Sequence, residues 1–360
     1  MLVESVVNAN SIALVASEDA KNKIPYIGLK FFPEDKKAGL DLRWIKTHKG
    51  LSPILAPSNF DAIPVLRSRE GIKDVNTQMP FFREEMQITE RDMNDLARIS
   101  SETDPYLKEA LTSIYDDAKN LLASAEVNGE IMRMQLLTAA SGHPSIQISA
   151  NGVNYEYNYD PNNEYSTNNY VSLSGQSDWS DTTHSTPLDD INTAKQKLID
   201  NGYAPGYILM TTKTFGYLRQ NAQIKAVALT TNAAGTIYMT DGIVKQIVKD
   251  TTGITVLLYD KTYKGADGKA AKYYPDGQVT LLPEGAVGKT WFGTTPEERT
   301  AGQVADVDVA IYGTGICVAT KKEYGPPYKF ATIASEVALP SFELMDATYV
   351  IKCIQSLPSI

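Results

Sequence analysis

Asp104-Pro105-Tyr-Leu107-Lys-Glu-Ala-Leu111-Thr-Ser-Ile114-Tyr-Asp-Asp-Ala118-Lys-Asn-Leu121-Leu-Ala-Ser-Ala125 is the strongest local signal in the chain. Asp104 is a good N-cap, and Pro105 suits the first helical position, where its missing N–H is no loss. Leu107, Leu111, Ile114, Ala118, Leu121 and Ala125 recur at 4-3-4-3-4 spacing. Lys108, Glu109, Ser113, Asp116, Asp117, Lys119 and Asn120 supply the polar face between them. The pattern continues less cleanly through Met132, Leu136 and Leu137 and stops before Gly142 and Pro144. It predicts a helix over 105–139, a rod of about 50 Å. Asn128 and Gly129 weaken its middle, the glycine by about 1 kcal/mol relative to Ala. The heptad fades before the repeats a coiled coil needs, so the helix is read as packed on its own domain.

Toward the N-terminus, residues 1–37 are short apolar patches broken by polar residues and read as an arm. Ile12–Val15 and Tyr26–Phe32 are expected to be short strands. Residues 38–76 read as a long hairpin. Leu40, Leu42, Trp44 and Ile45 interleave with Asp41, Arg43 and Lys46 at a period close to two. A turn-rich tip follows, from His48-Lys49-Gly50 to Pro57-Ser58-Asn59, and Ile63 to Arg69 return. Ile54, Leu55 and Phe60 on the tip have little local core to enter. An extended hairpin does not bury both faces alone, so these three are the candidate subunit-interface residues. A short helix, Thr89 to Ile99, is expected before the long one.

Toward the C-terminus, Ile146, Ile148, Val153, Tyr155, Tyr157 and Tyr159 alternate around Asn151-Gly152, a hairpin signal. Residues 161–186, rich in Asn, Ser, Thr, Asp and Tyr, read as a linker closing a domain of 77–186. A second, mixed domain is expected over 187–325. It opens with a helix from Pro187 to about Asp200, then a strand at Tyr207–Met210 and a helix from Lys213 to Asn221. Strands follow at 254–259, 278–282 and 308–312. Residues 326–360 read as returning strands, clearest over Tyr349–Ile354. This segregation of helix and strand points to an α+β fold.

At 360 residues, with 42% hydrophobic and 21% charged content, the composition is globular. The net charge of −9 argues against a dedicated nucleic-acid binder, which needs cations to displace counterions. Enclosing nucleic acid is compatible with that charge. Cys317 and Cys353 lie in apolar runs and are expected to be buried free thiols. Met1–Asn10 lacks the basic region of a secretory signal, and no apolar run approaches a bilayer span, so a cytoplasmic protein without a membrane partner is expected.

Pro283-Glu-Gly-Ala-Val-Gly288-Lys289-Thr290 imitates the phosphate-cradling loop GxxxxGK[ST]. Pro283 replaces its first glycine and removes a donor, and Trp291-Phe292-Gly293 follows instead of a helix. A glycine-rich turn is the reading. His48, His143 and His184 lie far apart without metal-ligand spacing. Asp116-Asp117, Asp189-Asp190 and Glu297-Glu298 are adjacent acids rather than converging ones. No catalytic residue, metal site or cofactor is assigned.

Several blocks in order resemble the phage lambda major capsid protein E family. They are Ser52-Pro-Ile-Leu-Ala-Pro57, Arg69-Glu-Gly71, Pro80-Phe-Phe-Arg83, and Glu130-Ile-Met132 with Leu136-Leu-Thr138. Pro187-Leu-Asp-Asp-Ile191 with Ala194, Gly202-Tyr203 and Pro205 follow. The most specific block is Val279-Thr-Leu-Leu-Pro283, Gly288-Lys-Thr290, Phe292-Gly293 and Pro296-Glu297, where the phosphate-loop mimic is the family's glycine-rich turn. Pro326-Pro327, Ser335, Leu339-Pro340 and Asp346-Ala347 close the series.

The resemblance implies the Hong Kong 97 type capsid fold, with an N-terminal arm, an extended E-loop hairpin, a peripheral domain carrying a long spine helix, and an axial domain. It implies a non-enzymatic major capsid protein whose hexamers and pentamers close an icosahedral shell around a double-stranded DNA genome, in a virion assembled in the host cytoplasm. Separate scaffolding, portal and decoration proteins would be its partners, and DNA would be enclosed without specific binding. Three rivals stand beside it. One is an encapsulin-like nanocompartment shell. Another is a carbohydrate-binding surface protein using Asn162, Asn163, Asn168 and Asn169 with Tyr165 and Tyr170. The third is a nucleotide hydrolase using Gly288-Lys289-Thr290.

Overall fold

The computed structural model describes residues 9–10, 12–13, 25–46, 73–88, 90, 105–150, 152–231, 239–265, 267–303, 307–323, 325 and 329–355. Its first elements are helix α1 (Gly28–Phe31) and strands β1 (Glu34–Lys36), β2 (Asp41–Lys46), β3 (Lys73–Gln78) and β4 (Phe81–Ile88). Helix α2 (Pro105–Thr138), hairpin strands β5 (Ser145–Ala150) and β6 (Val153–Asn158), helix α3 (Glu164–Asn168) and strand β7 (Tyr170–Ser172) follow. Next come α4 (Pro187–Asp200), β8 (Pro205–Met210), α5 (Thr212–Gln220), α6 (Ala222–Thr231), α7 (Asp241–Thr252), β9 (Thr255–Leu258), β10 (Thr262–Lys264) and β11 (Ala270–Lys272). The last are β12 (Gln278–Pro283), β13 (Thr290–Phe292), α8 (Pro296–Thr300), β14 (Val307–Tyr312), β15 (Ile316–Glu323), β16 (Lys329–Pro340) and β17 (Tyr349–Lys352).

The chain forms two compact units. The first comprises Met1–Arg43, Asn76–Arg133 and Lys289–Ser341. Its six-stranded sheet runs β1-β13-β16-β15-β14, with β4 also paired to β16. The twelve-residue β16 organises it. Phe330–Val337 pair antiparallel with β4, and Ala338–Pro340 with β13. Strand alternation sends Tyr312, Glu336 and Ala334 to one face and Cys317 and Ser335 to the other. Tyr312 donates to Glu126 of α2 at 2.7 Å, so the first face lies on that helix. Leu121, Leu122, Ala125 and Met132 are buried apolar side chains of α2 in this unit.

The second unit comprises Trp44–Val75, Met134–Gly288 and Phe342–Ile360. Its five-stranded sheet has the order β7-β17-β12-β8-β9. Leu188, Ile191, Ala194 and Leu198 of α4 pack in one core with Ile208, Met210, Phe215, Val244, Val248, Val279, Leu281 and Ile351. Helix α4 starts as its sequence predicts, with Pro187 in the first turn beside Asp189 and Asp190. In α7 the Thr240 hydroxyl accepts from the Ile243 amide, and Gly253 closes the helix at φ 75°.

Two expectations need correction. Tyr26–Phe32 is not a strand, because Gly28–Phe31 closes a helical turn that buries Phe31 and Phe32. The 161–186 stretch is more than a linker. Tyr170–Ser172 forms a parallel edge with Val350–Lys352, a partnership too distant along the chain for local polarity to reveal. The Thr89–Ile99 helix and the returning Ile63–Arg69 stretch fall wholly or mostly outside the described residues, and of the expected Ile12–Val15 strand the two described residues, Ile12 and Ala13, are helical instead.

Candidate subunit-interface site

Strands β2 and β3 pair only with each other among the described residues, forming a two-stranded base for the 38–76 hairpin. Alternation buries Leu42 and Trp44 on one side. Trp44 stacks on Tyr159 with centroids 5.4 Å apart and planes 29° apart. The Met79 amide donates to the Leu40 carbonyl at 2.9 Å. The base is thus tied down by packing and backbone bonding. The three candidate interface residues, Ile54, Leu55 and Phe60, lie outside the described residues.

A second apolar surface sits on the β5–β6 ribbon. Register sets Ile146 against Tyr157 and Ile148 against Tyr155, on one face with Val153. Gln147, Glu156, Ser149 and Asn154 take the other face. Ile146 is buried, but Val153 is 52% exposed. Burial, with Tyr155 adding to it, pushes the Tyr157 phenol up to about 12. The alternation was legible in the sequence; the exposure of its outer end was not.

The first unit also holds a buried charge cluster that sequence reasoning missed. Arg133 on α2 donates to Glu34 Oε1 at 2.8 Å and to Thr290 Oγ1 at 2.8 Å, and its guanidinium lies 3.6 Å from Glu130. Glu130 accepts the Gly28 amide at 3.0 Å. Only glycine permits that approach, since a Cβ on residue 28 would lie 2.3 Å from Glu130 Oε2. Glu336 on β16 is 1% exposed and lines a small cleft with Asn128 of α2. The available signal was a lone acid in the apolar run Ala331-Thr-Ile-Ala-Ser-Glu336-Val-Ala-Leu339.

The sequence profile of the phage major capsid protein E family matches residues 14–314. The chain belongs to that family. No curated protein sequence matches this capsid protein well enough to count as a relative. Among solved structures it resembles the putative capsid protein of a prophage of E. coli CFT073, at 13% identity and TM-score 0.58, covering 97% of this chain and 99% of that one. It also resembles a phage-related protein from Bordetella bronchiseptica RB50, at 14% identity and TM-score 0.51, covering 94% of this chain and 96% of that one. The fold is the α+β Hong Kong 97 type, and the family's role is structural: these proteins build phage capsids.

A capsid role also accounts for the residues that imitate other chemistry. In the phosphate-loop mimic, Lys289 Nζ pairs with Asp35 at 2.7 Å and lies 5.1 Å from the Trp291 ring centroid. That hydrogen bond holds the Asp35 carboxyl below its usual range. Thr290 is buried, donating to the Phe32 carbonyl at 3.2 Å and accepting from Arg133. The segment enters strand β13 rather than a helix, so it lacks the N-terminus that holds phosphate. Two of the would-be glycan residues are structural, whereas Asn162, Asn163 and Asn168 are exposed. Tyr165 is buried with its hydroxyl on Thr348 at 2.9 Å, and Asn169 donates to the Asp346 and Thr348 carbonyls at 3.0 and 2.7 Å. His184 is a surface partner of Asp181 at 2.8 Å. Glu297 and Glu298 bond outward, to Arg83 and Ser335 and to Lys36 respectively. Among the described residues no cluster of His, Cys, Asp and Glu is arranged to hold a metal, and no helix is long and apolar enough to cross a membrane.

Proposed function

We propose that this capsid protein acts by self-assembly without catalysis, forming hexamers and pentamers that close an icosahedral shell around double-stranded DNA in the host cytoplasm. Residues 1–37 act as the arm and 38–76 as the E-loop hairpin. Residues 77–186 form the peripheral domain with α2 as its spine, 187–325 the axial domain, and 326–360 the return. Scaffolding, portal and decoration proteins are separate chains. The net charge of −9 supports a shell wall that encloses DNA without gripping it.

The observation that carries this reading is the hairpin. Its base is a two-stranded sheet, and such a ribbon is at best marginally stable alone. Ile54, Leu55 and Phe60 at its tip gain a core only on a neighbouring subunit. Contacts repeated around closed rings turn a modest energy per contact into a stable particle. Deleting residues 48–58 is expected to leave soluble subunits that fail to form closed shells in sedimentation and electron microscopy. Normal shells from the deletion would remove the hairpin from the assembly mechanism. Packaged DNA rather than packaged protein in the particles separates the phage shell from a nanocompartment.

A further inference from the structure

Glu336 sits where strand β16 meets α2, at one side of a small cleft of about 20 Å³ lined by Phe82, Glu84, Ser124, Asn128, Ala334 and Glu336. That volume admits a single water molecule. The carboxyl is 1% exposed, and its Oε1 has no hydrogen-bond partner among the described residues. A buried acceptor left in that condition costs free energy, and a buried charge costs more.

The surroundings do not favour a second negative charge. From α2 the groups facing Glu336 are Asn128, Arg133 and Glu126, and from β1 it is Glu34. Glu130 crowds the same guanidinium, Tyr312 of β14 donates to Glu126, and Glu84 of β4 lines the cleft beside Arg83. Arg133 already serves Glu34 and Thr290, and Arg83 is paired with Glu297. Burial first, with Glu34 and Glu126 adding to it against Asn128 and Arg133, raises the Glu336 carboxyl to about 8. Asn128 stands next to Gly129, the weakest helix former in this part of α2.

We propose that Glu336 is a proton-operated latch between the spine helix and the sheet of the first unit: as a neutral acid it lets α2 lie closed on β16, and losing its proton favours an opened helix–sheet contact in which water reaches the carboxylate. The direction follows from linkage. The closed arrangement holds the proton more tightly than an opened one, where the carboxyl has its ordinary pKa near 4.3. Opening therefore becomes easier as pH rises, about tenfold per pH unit between that value and the raised one, and levels off above it. Acid tightens the contact and alkali loosens it.

Hydrogen exchange on the full-length chain, compared with Glu336→Gln between pH 5 and pH 9, tests the latch. After correction for intrinsic exchange, wild-type protection of amides in 121–133 and 331–337 is expected to fall about tenfold per pH unit and then reach a plateau. The Gln variant, neutral throughout, should hold its protection flat. A merely structural role would change the level of protection and leave the pH slope alone. Equal slopes in the two proteins, or a flat wild type, would overturn the proposal. Should the variant not fold, infrared titration of wild-type protein isotope-labelled at glutamate decides instead. A protonated glutamic acid band persisting above pH 7 supports the latch, and its absence there refutes it.

Discussion

Arg133 shows how a side chain that is ordinary in the sequence becomes central in the fold. It is 2% exposed, and it bonds β1 through Glu34 and β13 through Thr290. Nothing near it in sequence names these partners, so its role was not legible there. Arg133→Met should lower subunit stability by about 3–5 kcal/mol, because the carboxylates of Glu34 and Glu130 lose their counter-charge. A lower urea midpoint checks this, and an unchanged midpoint contradicts it. The cysteines were legible, since apolar flanks suffice to place a thiol inside. Both are free and buried, and burial pushes both thiols up. Neither should react with a thiol reagent in the native protein at pH 8, and both should react in denaturant, by mass shift.

Helix α2 was read almost to the residue, because 3.6-residue periodicity is a local property of the sequence. Helix α4 and the β5–β6 hairpin were legible for the same reason. Strand β16 falls within the 326–360 stretch read as strands, but its pairing with β4 and β13 was not legible, because those partners lie far along the chain. The weak point seen in α2 gives a prediction for the element. The nearest atoms a Cβ on Gly129 would meet belong to the Arg133 guanidinium, at 3.5 Å or more, which is ordinary contact. Gly129→Ala should therefore stabilise the helix by about 1 kcal/mol. A raised melting temperature confirms it, and a lowered one shows that this glycine serves a bend or an approach beyond helix propensity.

For the molecule as a whole, the order of the sequence blocks carried more than any single block. Arm, hairpin, long helix and mixed segment came from periodicity, and the family resemblance gave them a common purpose. The proposed interface residues Ile54, Leu55 and Phe60 lie outside the described residues. In the proposed assembly their partners belong to another copy, and such contacts leave no signature in the local sequence. The central claim is that this chain works by building a closed shell from copies of itself. Electron microscopy of the purified, expressed chain tests that most directly. Closed icosahedral particles of repeating subunits are the predicted result, and a preparation of monomers or small oligomers that never closes under any assembly condition would contradict it.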